Sequence, residues 1–187
     1  EKLGAKARAL FATLPLVITG KNFRCAHGGF KDPAVFDYVE TQEEALESFN
    51  ATKEQVLFCG HSHNPGLFVM GKSGVAHWLE PQDFEVEEGK RYIVNVGSVG
   101  SPRDGNPRAS YVIFDDEAGT VQFFRATFDF AAFGAAVAKA GLKMDDVPML
   151  RSRPAKGAEA VRVAPDFSPD ASQRVTGDVV ENDVTML

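Results

Sequence analysis

Cys59-Gly60-His61-Ser62-His63-Asn64 follows directly on the apolar run Gln55-Val56-Leu57-Phe58. On extended backbone, residues i and i+2 point to the same side. His61 and His63 are therefore expected to aim their imidazoles at one spot beyond a buried strand. That end of a strand is where open α/β sheets place their ligands. Gly60 is expected to let the chain turn and something approach the backbone. Two neutral imidazoles suit a borderline or transition metal such as Zn, Mn, Fe or Co. Taken alone, the same pattern also describes two surface histidines in a loop.

Two further stretches repeat the layout. Cys25-Ala26-His27-Gly28-Gly29 closes the run Asn22-Phe23-Arg24, again strand, then His, then Gly. Gly97-Ser98-Val99-Gly100-Ser101-Pro102-Arg103-Asp104-Gly105-Asn106-Pro107-Arg108 follows the run Tyr92-Ile93-Val94-Asn95-Val96. Small residues, hydroxyls and two arginines after a strand make a cradle for an oxyanion such as phosphate. Three strand-end loops of this kind point together to a metal-plus-phosphate site.

With these motifs in this order, the chain resembles the calcineurin-like metallophosphoesterase superfamily. It looks most like the bacterial branch of small phosphodiesterases and diadenosine-tetraphosphatase-like proteins. The resemblance rests on Ala26-His27-Gly28, on Gly60-His61-Ser62-His63, and on the run from Asn95 through Asp115, and it covers about residues 1 to 142. It implies an α/β fold, a two-sheet sandwich flanked by helices with the site at strand ends. It also implies two divalent metal ions, with Mn, Fe, Ni and Zn all compatible, about 3.5–4 Å apart and clamping in-line attack by a hydroxide. Carried over by motif, His27 and His61 bind one metal and His63 the other. Asn95 and Arg103 border the substrate.

The first-half motifs of that family, Asp-x-His, Gly-Asp-x-x-Asp and Gly-Asn-His-Asp/Glu, have no counterpart. Gly-Asp occurs once, at Gly177-Asp178, and no Asn is followed by His. The carboxylate that bridges the metals, the Asn ligand and the acid histidine are thus unmatched. Together with a first residue that is Glu1, this reads as the carboxyl-terminal part of a longer protein, its amino-terminal half absent. The expected function is metal-dependent hydrolysis of a phosphodiester, phosphomonoester or dinucleoside polyphosphate by the longer protein. The 187-residue chain alone is expected to bind metal weakly and not to turn over. A rival from another class is a phosphoesterase-fold scaffold for protein–protein interaction, as in the retromer subunit that resembles phosphoesterases.

Composition agrees. A chain of 187 residues, 44% hydrophobic and 25% charged, suits one globular domain. The net charge of −6 opposes binding to duplex nucleic acid, which wants a basic footprint. It leaves small phosphorylated substrates open, because a metal supplies local positive charge. Two cysteines, Cys25 and Cys59, fit a reducing cytosol and hence a cytoplasmic protein. They also allow a Cys25, His27, Cys59, His61 zinc site or a disulfide, although each Cys is expected one pleat deeper, in the core, as a small hydrophobe. His77 matches no motif and reads as a strand histidine near the surface, with Trp78 beside it packing. No secretory or spanning segment is visible, since the apolar runs are strand-sized.

The elements that must position these residues follow from local pattern. Leu3, Ala7, Leu10 and Phe11 predict a helix over 2–13, which Pro15 ends. A strand pair spans about 15–26, turning at Gly20-Lys21-Asn22. A loop occupies 32–38, and Thr41 caps a helix from Gln42 to about Phe49. Hairpins are predicted around Gly71–Gly74 and around Asp115–Gly119. Asp129 caps an Ala-rich helix to about Ala140, which Gly141 stops. Its Phe130, Phe133, Val137 and Ala140 face reads as a docking surface. Residues 143–187 read as a tail, mostly disordered from about 151, rich in Pro, Ser, Arg, Asp and Gly.

Overall fold

The computed structural model describes residues 4–142, and the elements there follow the local chemistry of the chain. Helix α1 (Ala5–Thr13) ends where Leu14 turns extended ahead of Pro15, as the residue before a proline prefers. The strands β1 (Val17–Thr19) and β2 (Phe23–Ala26) form an antiparallel hairpin closed by Gly20 N donating to Phe23 O at 2.9 Å. Helix α2 (Gln42–Asn50) starts with a full capping box: Glu44 N donates to Thr41 Oγ1, and Thr41 N donates to Glu44 Oε2. β3 (Val56–Cys59), the hairpin of β4 (Gly66–Met70) and β5 (Ala76–Leu79), and short β6 (Phe84–Glu85) come next. They are followed by β7 (Arg91–Asn95), the hairpin of β8 (Ala109–Asp115) and β9 (Thr120–Ala126), and α3 (Phe130–Lys139). Asp129 caps α3 by accepting from Ala132 N, and Gly141 leaves it at a φ of +73°.

Among the described residues, nine strands make two sheets. The larger runs β1-β2-β3-β7-β4-β5 and the smaller β6-β9-β8. β2, β3 and β7 are parallel neighbours, with Cys25 opposite Phe58 and Cys59 opposite Asn95. Their carboxyl ends therefore share one edge. β3 is buried at every position because both faces of the large sheet are covered. On one face Leu57, Cys59, Phe68 and Ile93 pack with Ala45 and Phe49 of α2. On the other, Val56, Phe58, Tyr92 and Val94 pack with Val121 and Phe123 of the small sheet. The result is an α/β sandwich of two sheets with a helix outside, as the motifs imply.

Sequence and structure part in a few places. No residue of α1 is buried, and Leu10 and Phe11 are 59% and 57% exposed, so the described residues do not cover its apolar face. In α3, Val137 is buried and Phe133 meets the Phe128 ring edge-on at 5.8 Å, so part of the face read as a docking surface packs within the described residues. β6 carries no alternating signal of its own and pairs because Phe84 stacks on Tyr92 at 4.6 Å. His77 is exposed on β5, and the Trp78 ring packs on Phe68 at 5.0 Å. The tail expected over 143–187 lies outside the described residues. No described helix is long and apolar enough to cross a membrane.

Candidate metal and phosphoester site

The three motif loops leave the shared edge of β2, β3 and β7 and meet. His27, His61 and His63 line one cleft of about 390 Å³, together with Gly60, Gly97, Ser98 and Val99. The His27 and His61 rings lie 4.9 Å apart between centroids, nearly perpendicular at 69°. Burial, and then the neighbouring His61, hold the His27 imidazole below its ordinary value, which favours the neutral form a metal needs.

The route by which these side chains converge is not the one period-2 geometry suggests. β3 stops at Cys59, and His61 and His63 both stand in the left-handed region, with φ of +61° and +63°. The expected extended His-x-His is thus corrected to two successive left-handed bends. Nor is Gly60 the residue that needs its missing side chain: a Cβ there would meet only carbonyl oxygens at 3.8 Å. The strain falls on the histidines. Non-glycine residues in that region cost about 1–3 kcal/mol and persist where their surroundings fix them, which is a mark of functional sites.

Those surroundings are the 97–108 loop and Asn95. His63 Nδ1 lies 2.8 Å from Ser101 O. A carbonyl only accepts, so Nδ1 carries the proton and Nε2 keeps its lone pair for a ligand. Arg103 N donates to His63 O at 3.1 Å, bracing the same residue from its backbone. Asn95 is 2% exposed. Its Nδ2 donates to Gly60 O and Ser62 Oγ, and its Oδ1 accepts from Gly97 N. Asn95 therefore ties two cleft loops together from beneath. Within the 97–108 loop the Arg103 side chain is exposed, and Arg108 Nε donates to Asn106 Oδ1.

Residues without a sequence signal complete the wall. The Tyr38 ring stacks on His61 at 4.5 Å, and Phe36 sits edge-on to His27 at 5.7 Å. Phe36 has a φ of +59°, and Gly28 lets its backbone come close, since a Cβ on Gly28 would lie 2.9 Å from Phe36 C. Buried Ser62 carries no sequence signal either.

The donor chemistry suits a divalent transition metal, yet the shell is partial. Among the described residues, no three His, Cys, Asp or Glu side chains come together as a group that could hold one. The Cys2His2 alternative does not fit. Cys25 and Cys59 belong to opposite faces of the large sheet, and burial pushes their thiols up to about 11 and about 12. They are free, in separate core layers, so a disulfide between them does not form.

The two-sheet α/β arrangement with loops meeting at the strand ends is the fold of the metallophosphoesterases. The chain belongs to the calcineurin-like phosphoesterase superfamily, whose domain model matches residues 3–119. The family typically uses divalent metals. An uncharacterized protein of Methanocaldococcus jannaschii is 35% identical over 121 residues, 63% of this chain and 47% of that protein. A metallophosphoesterase crystal structure from Sphaerobacter thermophilus superposes with a TM-score of 0.69 at 32% identity, over 79% of this chain and 63% of the other. A hypothetical protein of Pyrococcus horikoshii shares the fold at 18% identity, with a TM-score of 0.58 over 83% and 57% of the two chains. The chain spans about half the length of the curated relative it matches.

Proposed function

We propose that this chain supplies the histidine side of a metal-dependent phosphoester hydrolase, as the carboxyl-terminal part of a longer protein of the small phosphodiesterase or diadenosine-tetraphosphatase-like branch. One observation carries the reading: the adjacent parallel strands β2 and β3 deliver His27 on one side and His61 and His63 on the other to a single cleft. His27 and His61 would hold one metal and His63, through Nε2, the other. A divalent metal held there polarises a phosphoryl oxygen and lowers the pKa of bound water. The chain's own residues do the rest. Ser101 O fixes the His63 tautomer, Asn95 keeps the Gly60 and Gly97 loops in register, and Arg103, exposed in the 97–108 loop, would offer a cation to a phosphate. The substrate is a small phosphorylated compound, since a cleft of about 390 Å³ is of ligand-pocket size.

The test uses the full-length protein with added Mn and bis(p-nitrophenyl) phosphate, then a phosphomonoester and a dinucleoside polyphosphate. Turnover that disappears in His61→Ala together with metal binding is the expected result. Turnover unchanged in His61→Ala overturns the assignment. A protein that binds neither metal nor phosphoester points instead to the scaffold. The 187-residue chain alone is expected to be inactive with the same reagents.

A further inference from the structure

β9 alternates cleanly, its inward face reading Val121, Phe123, Arg125. The first two fill the core between the sheets, and period 2 calls for a third apolar residue there. Arg125 stands in that place and is 2% exposed. An arginine is almost never so buried unless paired, because removing its charge from water costs several kcal/mol. Both ends of its fork are engaged in the 97–108 loop. Nη2 pairs with Asp104 Oδ2, and Nη1 donates to Arg108 O at 3.1 Å.

Asp104 directly follows Arg103, whose amide holds His63 O, and lies three residues after Ser101, whose carbonyl holds His63 Nδ1. The loop thus grips His63 at backbone and ring on one side and is fastened to the small sheet on the other. His63 needs such a grip, because its left-handed backbone is held only by its surroundings. Within the loop the remaining bonds are short-range: Ser101 N to Ser98 Oγ, Asn106 N to Asp104 Oδ1, and Arg108 N to Asn106 Oδ1. The loop runs into β8 at Ala109 and is tied there by Ser110 N donating to Ser98 O; Arg125 adds a fastening to β9.

We infer that Arg125 is a positioning residue for His63: through Asp104 and Arg108 it holds the loop whose Ser101 carbonyl selects the Nδ1–H tautomer of that histidine. The inference rests on the proposed reading of His63 as a ligand, in which only this tautomer presents Nε2. A conserved outer partner of a ligating histidine is commonly worth 10–100-fold in metal affinity.

The tautomer is read on the metal-free chain by long-range ¹H–¹⁵N correlation of the histidine rings, above the imidazole titration range. Its outcome is therefore independent of whether the longer protein hydrolyses anything. The wild type is expected to show His63 as a single Nδ1–H form. Arg125→Met keeps the bulk and removes the fork; Asp104→Asn keeps the shape and removes the charge. Both are expected to leave His63 in mixed tautomers while His27 and His61 keep their wild-type ring shifts. Arg125→Lys is expected to recover part of the single form through Asp104. If the amide spectrum shows that Arg125→Met no longer folds, Asp104→Asn decides. A His63 that stays wholly Nδ1–H in folded Asp104→Asn, or a wild type in mixed tautomers, overturns the inference.

Discussion

Asn95 Nδ2 lies 2.9 Å from Ser62 Oγ, and both residues are buried to 2% exposure beneath the histidine cleft. The same amide also serves the Gly60 carbonyl and the Gly97 amide, so one side chain satisfies three groups on two loops. A leucine in its place would keep the volume and abandon all three. Leaving a buried polar group unpaired costs about 1–3 kcal/mol. Asn95→Leu is accordingly expected to lower stability by about 3 kcal/mol, read as a drop in urea midpoint at constant slope. A change below about 1 kcal/mol would mean that the loops are held elsewhere.

Gly97 makes a sharper demand on the chain. Its φ is +80°, and a Cβ would lie 2.6 Å from Ser110 Oγ and 2.7 Å from Ser110 Cβ. Gly97→Ala meets both a left-handed backbone and a clash. The backbone term alone is about 1–2 kcal/mol. Adding Ser110→Gly removes the Ser110 clash and leaves the backbone term and the tight 3.1 Å approach to Pro65 Cβ. The double variant should therefore recover part of what Gly97→Ala loses, and the coupling in that cycle measures the overlap. Equal stability of Gly97→Ala and the double variant would sink the clash argument.

What the sequence could convey here depended on range. Thr41 and Glu44, or the Gly20–Asn22 turn, act within a few residues, so their chemistry predicts the element directly. The parallel pairing of β2, β3 and β7 was foreshadowed by three apolar runs each ending in a site-like loop. The left-handed backbone of His61 and His63 was not, because histidine, although enriched there among non-glycine residues, adopts it in only a small minority of cases. For His63 that conformation is held by Ser101 and Arg103, 38 and 40 positions further along the chain. Phe36 and Tyr38 were hidden for the same reason: a loop aromatic looks alike whether it faces solvent or a histidine. Arg125 did leave a trace, a cation in the third place of an apolar alternation.

The thiols test the two-layer core. Cys25 faces the small sheet and Cys59 faces α2, and burial pushes them to about 11 and about 12. The reactive species is the thiolate, which is scarce at neutral pH for such groups. Neither should react with a thiol-specific disulfide reagent until the chain unfolds. Both should then react in full in urea. Rapid labelling of Cys59 in the native chain would contradict its place in the core.

The His27 imidazole gives a pH dependence of definite sign. Burial first, and His61 second, lower it beneath its ordinary value of 6.5. The unfolded chain then binds the proton more readily than the folded one, so protonation favours unfolding. The contribution is intact above 6.5 and is lost as pH falls through the lower folded value. The urea midpoint should decline from neutral to mildly acidic pH, and His27→Gln should flatten part of that decline. Zn added at neutral pH should raise the midpoint by binding the folded state, and chelation should reverse it. Because only neutral imidazoles ligate, the Zn effect should shrink over the same acid range and be smaller in His27→Gln. If the midpoint of His27→Gln follows the wild-type pH curve throughout, and Zn raises both alike, His27 neither titrates abnormally nor contributes to the metal.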